Sequence, residues 1–149
     1  MRRLAVFCCA ICLCLPARAQ DGAAPQGYAF GRPELLVEQM LWGVAHGARL
    51  LALACAHAGQ GAAAEAWVEW QERERPEILA AGRRLSQHYF GIEDAPPDVL
   101  EQALGLQPAL ALPQERLAPA CATLAEALAQ PRYDLKLRRE EMRAQVAKP

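Results

Sequence analysis

The chain has 149 residues, 16 Lys and Arg against 17 Asp and Glu, and enough apolar residues (53%) to fill the core of one ordinary domain. The near-neutral balance lacks the net basic face on which nucleic-acid binding depends. One Ser (Ser86), one Thr (Thr123) and no Asn leave few side chains for nucleophilic catalysis and no N-linked glycosylation site.

At the start, Met1-Arg2-Arg3 is cationic, Leu4 to Leu15 is an apolar run of 12, and Pro16-Ala17-Arg18-Ala19 follows. This is the pattern of a secretory signal peptide over residues 1–19, with Ala17 and Ala19 as the small residues that direct cleavage near Ala19. Four of the six cysteines, Cys8, Cys9, Cys12 and Cys14, fall inside it. Their C-x-x-C spacing sits in a featureless apolar segment without the polar surroundings of a metal site. A lipid-anchor reading fails because the residues before these cysteines are Phe7, Cys8, Ile11 and Leu13, of which none is small in the required way. The run is also shorter than the roughly 18 residues that span a bilayer.

Removal of residues 1–19 takes Arg2, Arg3 and Arg18 and leaves 13 basic against 17 acidic side chains, a net charge of −4. Only Cys55 and Cys121 remain, and in an oxidising compartment two thiols are most simply one disulfide. The scarcity of Ser, Thr, Asn and Lys beside abundant Ala and Arg fits a GC-rich Gram-negative bacterium. The expected location is therefore the periplasm or the medium, with no membrane span after cleavage. Residues 20–31 are expected to be a flexible N-terminal segment and 32–147 a single α-helical domain.

Pro33, a residue favoured in the first turn, opens a helical pattern that runs to about Ala58. Leu36, Val37, Met40, Val44, Ala48, Leu51 and Cys55 share its apolar arc, with Glu38, Gln39, His46, Arg49 and His57 opposite. Trp42 falls on the polar arc, where partial exposure is expected. After Gly59-Gln60-Gly61 a second pattern carries Ala63, Trp67, Trp70, Ile78, Ala81, Leu85 and Tyr89 on one face. Pro76 predicts either a kinked helix or two helices meeting there, and Gly91 ends the pattern. The mixed-sign run Glu72-Arg73-Glu74-Arg75 reads as a solvated face. A short helix from Pro97 to Leu104, capped by Asp94 and ended by Gly105, lies in a proline-rich connector. A fourth helix is expected over 114–130, bent or delayed by Pro119, with Leu117, Cys121, Leu124 and Leu128 on its stripe. A fifth, over 134–147, carries Leu135, Leu137 and Met142 among charged residues.

No window alternates apolar and polar residues as a strand requires, so the fold class is all-α, a bundle of four or five helices. Cys55 and Cys121 each centre the buried face of a helix and pair across the core as an interhelical disulfide. Ser86 and His88 point about 160° apart on one helix, so they form no nucleophile and base, and Ser86 reads as a surface residue. His46, His57 and His88 are weak metal candidates, since no chelating spacing links them, and no cofactor is expected. The Trp67 and Trp70 stripe reads as core. Trp42, His46, Arg49 and Leu53 form the candidate interaction surface, aromatic and Arg together being favoured at protein interfaces.

These features point to an exported, non-enzymatic helical protein: an interaction, inhibitor or immunity protein or an envelope accessory factor whose partner is another envelope protein. The alternative is a small-ligand or metal carrier with an interhelical pocket. An enzyme using paired carboxylates on glycans ranks third.

Overall fold

Helical periodicity and first-turn prolines translate into five helices in the computed structural model, which describes residues 26–146. They are α1 (Pro33–His57), α2 (Gly61–Phe90), α3 (Pro97–Leu104), α4 (Gln114–Leu128) and α5 (Leu135–Val146), with a 3-10 turn at Pro131–Tyr133 before α5. There is no strand among the described residues, and the fold is all-α as expected. The signal peptide, its cleavage near Ala19, and residue 147 lie outside the described residues.

Of the two readings of Pro76, the single helix holds: α2 runs through it without a break. Pro76 is exposed, so the Glu72 carbonyl that loses its N–H partner can bond to water instead. Gly91 and Gly105 close α2 and α3 in the left-handed region, at φ 67° and 68°, where a side chain would be strained. Asp94 does not cap α3. Pro96 takes that place, its carbonyl accepting from the N–H groups of Val99 and Leu100. Nor does Pro119 delay α4, which starts at Gln114 and holds the proline internally.

Helix α1 is central because both of its sides are covered. One side contributes Val37, Leu41, Ala48, Ala52 and Cys55 to a core shared with Trp70 of α2, Cys121, Leu124 and Leu128 of α4, and Leu135 and Met142 of α5. The other side contributes Trp42 to a second cluster with Ala81, Leu85 and Tyr89 of α2 and Leu100 and Leu104 of α3. Cys55 and Cys121 are joined in a disulfide, their Cα atoms 5.6 Å apart, which ties α1 to α4 within the first core. The expected apolar arc of α1 is thus displaced. Met40 is exposed, while Glu38, Gln39, Trp42 and His46 are buried.

The stretch expected to be flexible before α1 is fastened over residues 27–29. The Gly27 N–H donates to the Ala103 carbonyl at 2.8 Å, and the fully buried Gln39 accepts from the Ala29 N–H at 2.9 Å. The Tyr89 hydroxyl donates to the Gly27 carbonyl at 2.5 Å and accepts from Gln39 Nε2. Backbone groups brought against a core require such partners, so Gln39 and Tyr89 fix the chain where periodicity shows no helix.

Burial raises the Tyr89 phenol above its ordinary 10.0, with a nearby Tyr28 adding to the rise and the Gln39 bond opposing it. A raised phenol stays protonated when folded, so its contribution is complete below pH 10 and is lost as pH rises further. Urea midpoints are expected to fall more steeply above pH 10 in the native chain than in Tyr89→Phe. Identical slopes would remove Tyr89 from the account.

Candidate functional site

A cavity of about 130 Å³ lies where α1, α2 and α3 meet. Helical spacing puts Trp42, Ala45, His46 and Arg49 on one face of α1 at i, i+3, i+4 and i+7, and all four line it. Across from them stand Trp67, Trp70, Gln71 and Ile78 of α2, with Pro97 and Glu101 of α3 at a third side.

Trp42 packs closely on Gly82. A Cβ built at Gly82 would lie 3.0 Å from Trp42 Cζ3, tighter than most packed contacts, so a methyl group there would require the ring to give by a few tenths of an ångström. The polar residues of the cavity form a small network joining α1 to α3. His46 Nε2 is 2.8 Å from the Gln107 carbonyl, an acceptor only, so this nitrogen carries the hydrogen. His46 Nδ1 lies 3.1 Å from Glu101 Oε1, and Arg49 Nη2 donates to the same carboxylate oxygen at 2.7 Å. Trp70 Nε1 donates to the Tyr133 carbonyl at 2.8 Å. The indole nitrogens of Trp42 and Trp67 are buried and meet no protein acceptor.

Three of the four residues expected on an exposed surface are therefore together, but in a different setting. Trp42 and His46 are 9% and 6% exposed, because α2 and α3 cover the arc that a helical wheel reads as polar. That is a correction: the four do not form one open face. Leu53 stands apart, 42% exposed, in an open groove of about 440 Å³ with Ala52, Ala56, Ala64 and Val68. Trp67 lines both the groove and the cavity. The three histidines are dispersed. His46 is in the cavity, His57 ends α1 in solvent, and His88 lies near the end of α2 with its Nδ1 3.2 Å from Arg32 Nη1. No group of three or more His, Cys, Asp or Glu close enough for a metal ion occurs among the described residues.

Ser86 is not on the surface. It is fully buried, donating to the Gly82 carbonyl at 2.8 Å and accepting from the Ala95 N–H at 3.0 Å, so it secures the connector that leads into α3. Glu74 also departs from its reading as part of a solvated run. It is 5% exposed and its Oε2 accepts from the Leu135 N–H at 3.0 Å, satisfying a free donor at the start of α5.

The larger surprise is Glu38, fully buried on α1. Its carboxylate receives Arg84 of α2 and, from α5, Arg139 at 2.9 Å and Arg143 at 3.0 Å. Arg139 is itself buried and also pairs with Glu77. One signal in the sequence foreshadows this: Leu135, Arg139 and Met142 stand at i, i+4 and i+7, so an Arg occupies the middle of an apolar stripe and requires a buried acid.

No family model matches the chain, nor does any curated protein or solved structure. No helix among the described residues is long and apolar enough to cross a membrane.

Proposed function

We propose that this is an exported, non-enzymatic protein that binds a small organic molecule in the cavity between α1, α2 and α3. The observation that carries the reading is a cavity walled by Trp42, Ala45, Trp67, Trp70 and Ile78, with the polar residues His46, Arg49, Gln71 and Glu101 in the same lining. Ligand sites typically combine apolar walls with a few placed polar groups. Export rests on the N-terminal signal pattern and places the protein in the periplasm or the medium. The absence of an activated nucleophile from the sequence supports a binding role rather than catalysis.

Benzene serves as a neutral probe of the cavity, since an engineered cavity of about 150 Å³ is known to hold it. Saturating benzene is expected to raise the melting temperature and perturb tryptophan fluorescence. Ala45→Phe, whose ring occupies the space, is expected to weaken the response by at least about tenfold. Equal responses from the two proteins, or none from either, would overturn the reading.

A second reading keeps an envelope protein as partner. It is favoured by the exposure of Leu53 (42%) and Val68 (51%) on the open groove, since apolar surface of this kind often marks an interface. It places the contact at the far end of α1 from Glu38, where the groove shares only Trp67 with the cavity.

A further inference from the structure

We infer that the cleft between the start of α1, the end of α2 and α5 binds a small phosphate-type oxyanion, inorganic phosphate or the phosphate of a monoester, on Arg32, Arg84 and Arg143. This open cleft, of about 520 Å³, shares no lining residue with the cavity between α1, α2 and α3. It stands whether or not that cavity holds a ligand.

Negative charge is in short supply around Glu38. Three guanidinium groups converge on its one carboxylate: Arg139 donates to Oε2, whereas Arg84 and Arg143 both donate to Oε1. Arg139 has a second carboxylate in Glu77. Arg84 and Arg143 have no other among the described residues, so two like charges stand around a single oxygen. A guanidinium carries five N–H donors, and most of those on Arg84 and Arg143 are left over. Both side chains line the cleft and are 49% and 47% exposed, within reach of an ion in it.

Arg32, the residue before α1, comes from a third direction. It pairs with Glu34, both side chains being exposed, and donates to His88 Nδ1 at 3.2 Å. Burial first and the Arg32 charge second hold the His88 imidazole below its ordinary 6.5, with Glu34 opposing, so His88 is neutral at pH 7. The lining thus sets three arginines against Glu34 and Glu38, an excess of positive charge on a chain whose net charge is −1. Arginine matches the oxygens of phosphates and carboxylates in geometry as well as charge. A phosphate monoester has three acceptor oxygens, one for each arginine, where a carboxylate has two.

The test titrates the disulfide-intact chain with inorganic phosphate at pH 7 by calorimetry, with sodium chloride holding the ionic strength constant. Saturable binding at one site is expected. Arg32→Gln and Arg143→Gln should each weaken it about tenfold, and Arg116→Gln, on an exposed arginine of α4, should leave it unchanged. Arg32 stands outside the Glu38 cluster, so its variant decides the matter if Arg143→Gln does not fold. Acetate should bind at least about tenfold more weakly than phosphate. Methyl phosphate binding as well as the free ion assigns the site to monoesters, and weaker binding assigns it to phosphate itself. Sulfate, which keeps both charges throughout a pH titration, should offset Arg32 and raise the His88 midpoint in proton NMR, leaving the exposed His57 in place. Phosphate binding indistinguishable from chloride, equal affinity for acetate, indifference to both Arg→Gln changes in the cleft, or a His88 midpoint that sulfate does not move would each overturn the inference.

Discussion

Replacing both Cys55 and Cys121 by Ala is expected to lower stability by about 4 kcal/mol in the chain-entropy model. The two residues are 66 apart in sequence, so the bond removes a large set of open conformations from the unfolded chain. Domains of this size are stable by only about 5–15 kcal/mol in total. The loss should therefore appear as a melting temperature lower by about 10 °C or more, and reduction of the native chain should reproduce most of it. Both cysteines are almost fully buried, so reductant should act slowly until the protein opens. A melting temperature unchanged by either treatment would show that the disulfide is dispensable.

Glu38→Ala is the second large effect, expected at about 3–5 kcal/mol, the usual consequence of stranding a buried partner. Three guanidinium groups lose their shared carboxylate, but unequally. Arg84 and Arg143 have side chains about half exposed (49% and 47%) and can turn toward water. Arg139, 7% exposed, stays buried with only Glu77 beside it, and most of the cost should fall there. Glu38→Leu combined with Arg139→Met should recover much of the loss, since apolar replacement of a buried ion pair is often neutral. Urea unfolding of the single and double variants measures this. A double variant no better than Glu38→Ala would mean that Arg84 and Arg143, not Arg139, dominate the cluster.

The all-α fold, the approximate bounds of the helices and the Cys55–Cys121 pairing were legible because each follows from a local or pairwise rule. Periodicity and prolines mark the helices, and an inferred oxidising destination leaves two thiols for each other. What the helical wheel cannot report is how many neighbours a helix has. It divides α1 into one apolar and one polar face, yet Glu38, Gln39, Trp42 and His46 are buried because α2, α3 and α5 close over the second face. The partners that make this tolerable lie far away in sequence, as with Arg139 and Tyr89. Ser86 was misread for the same reason, its acceptor role depending on a connector that folds back onto it. The cavity inherits the difficulty: Trp42, His46 and Arg49 could be grouped by spacing, but only α2 and α3 turn that group from open surface into the wall of a pocket.

The covalent ring formed by the disulfide runs from residue 55 to 121 and threads α2, α3 and the first half of α4. Helix α5 hangs outside that ring, and none of its residues walls the cavity. Its attachment relies heavily on carboxylates, Glu38, Glu74 and Glu77, supplied by α1 and α2. The molecule is thus divided into a cross-linked body that holds the pocket and a helix outside the cross-link, joined to that body by ion pairs and by Leu135 and Met142 in the first core. Partial opening at that end can proceed as a unit of its own, and the pocket need not open with it.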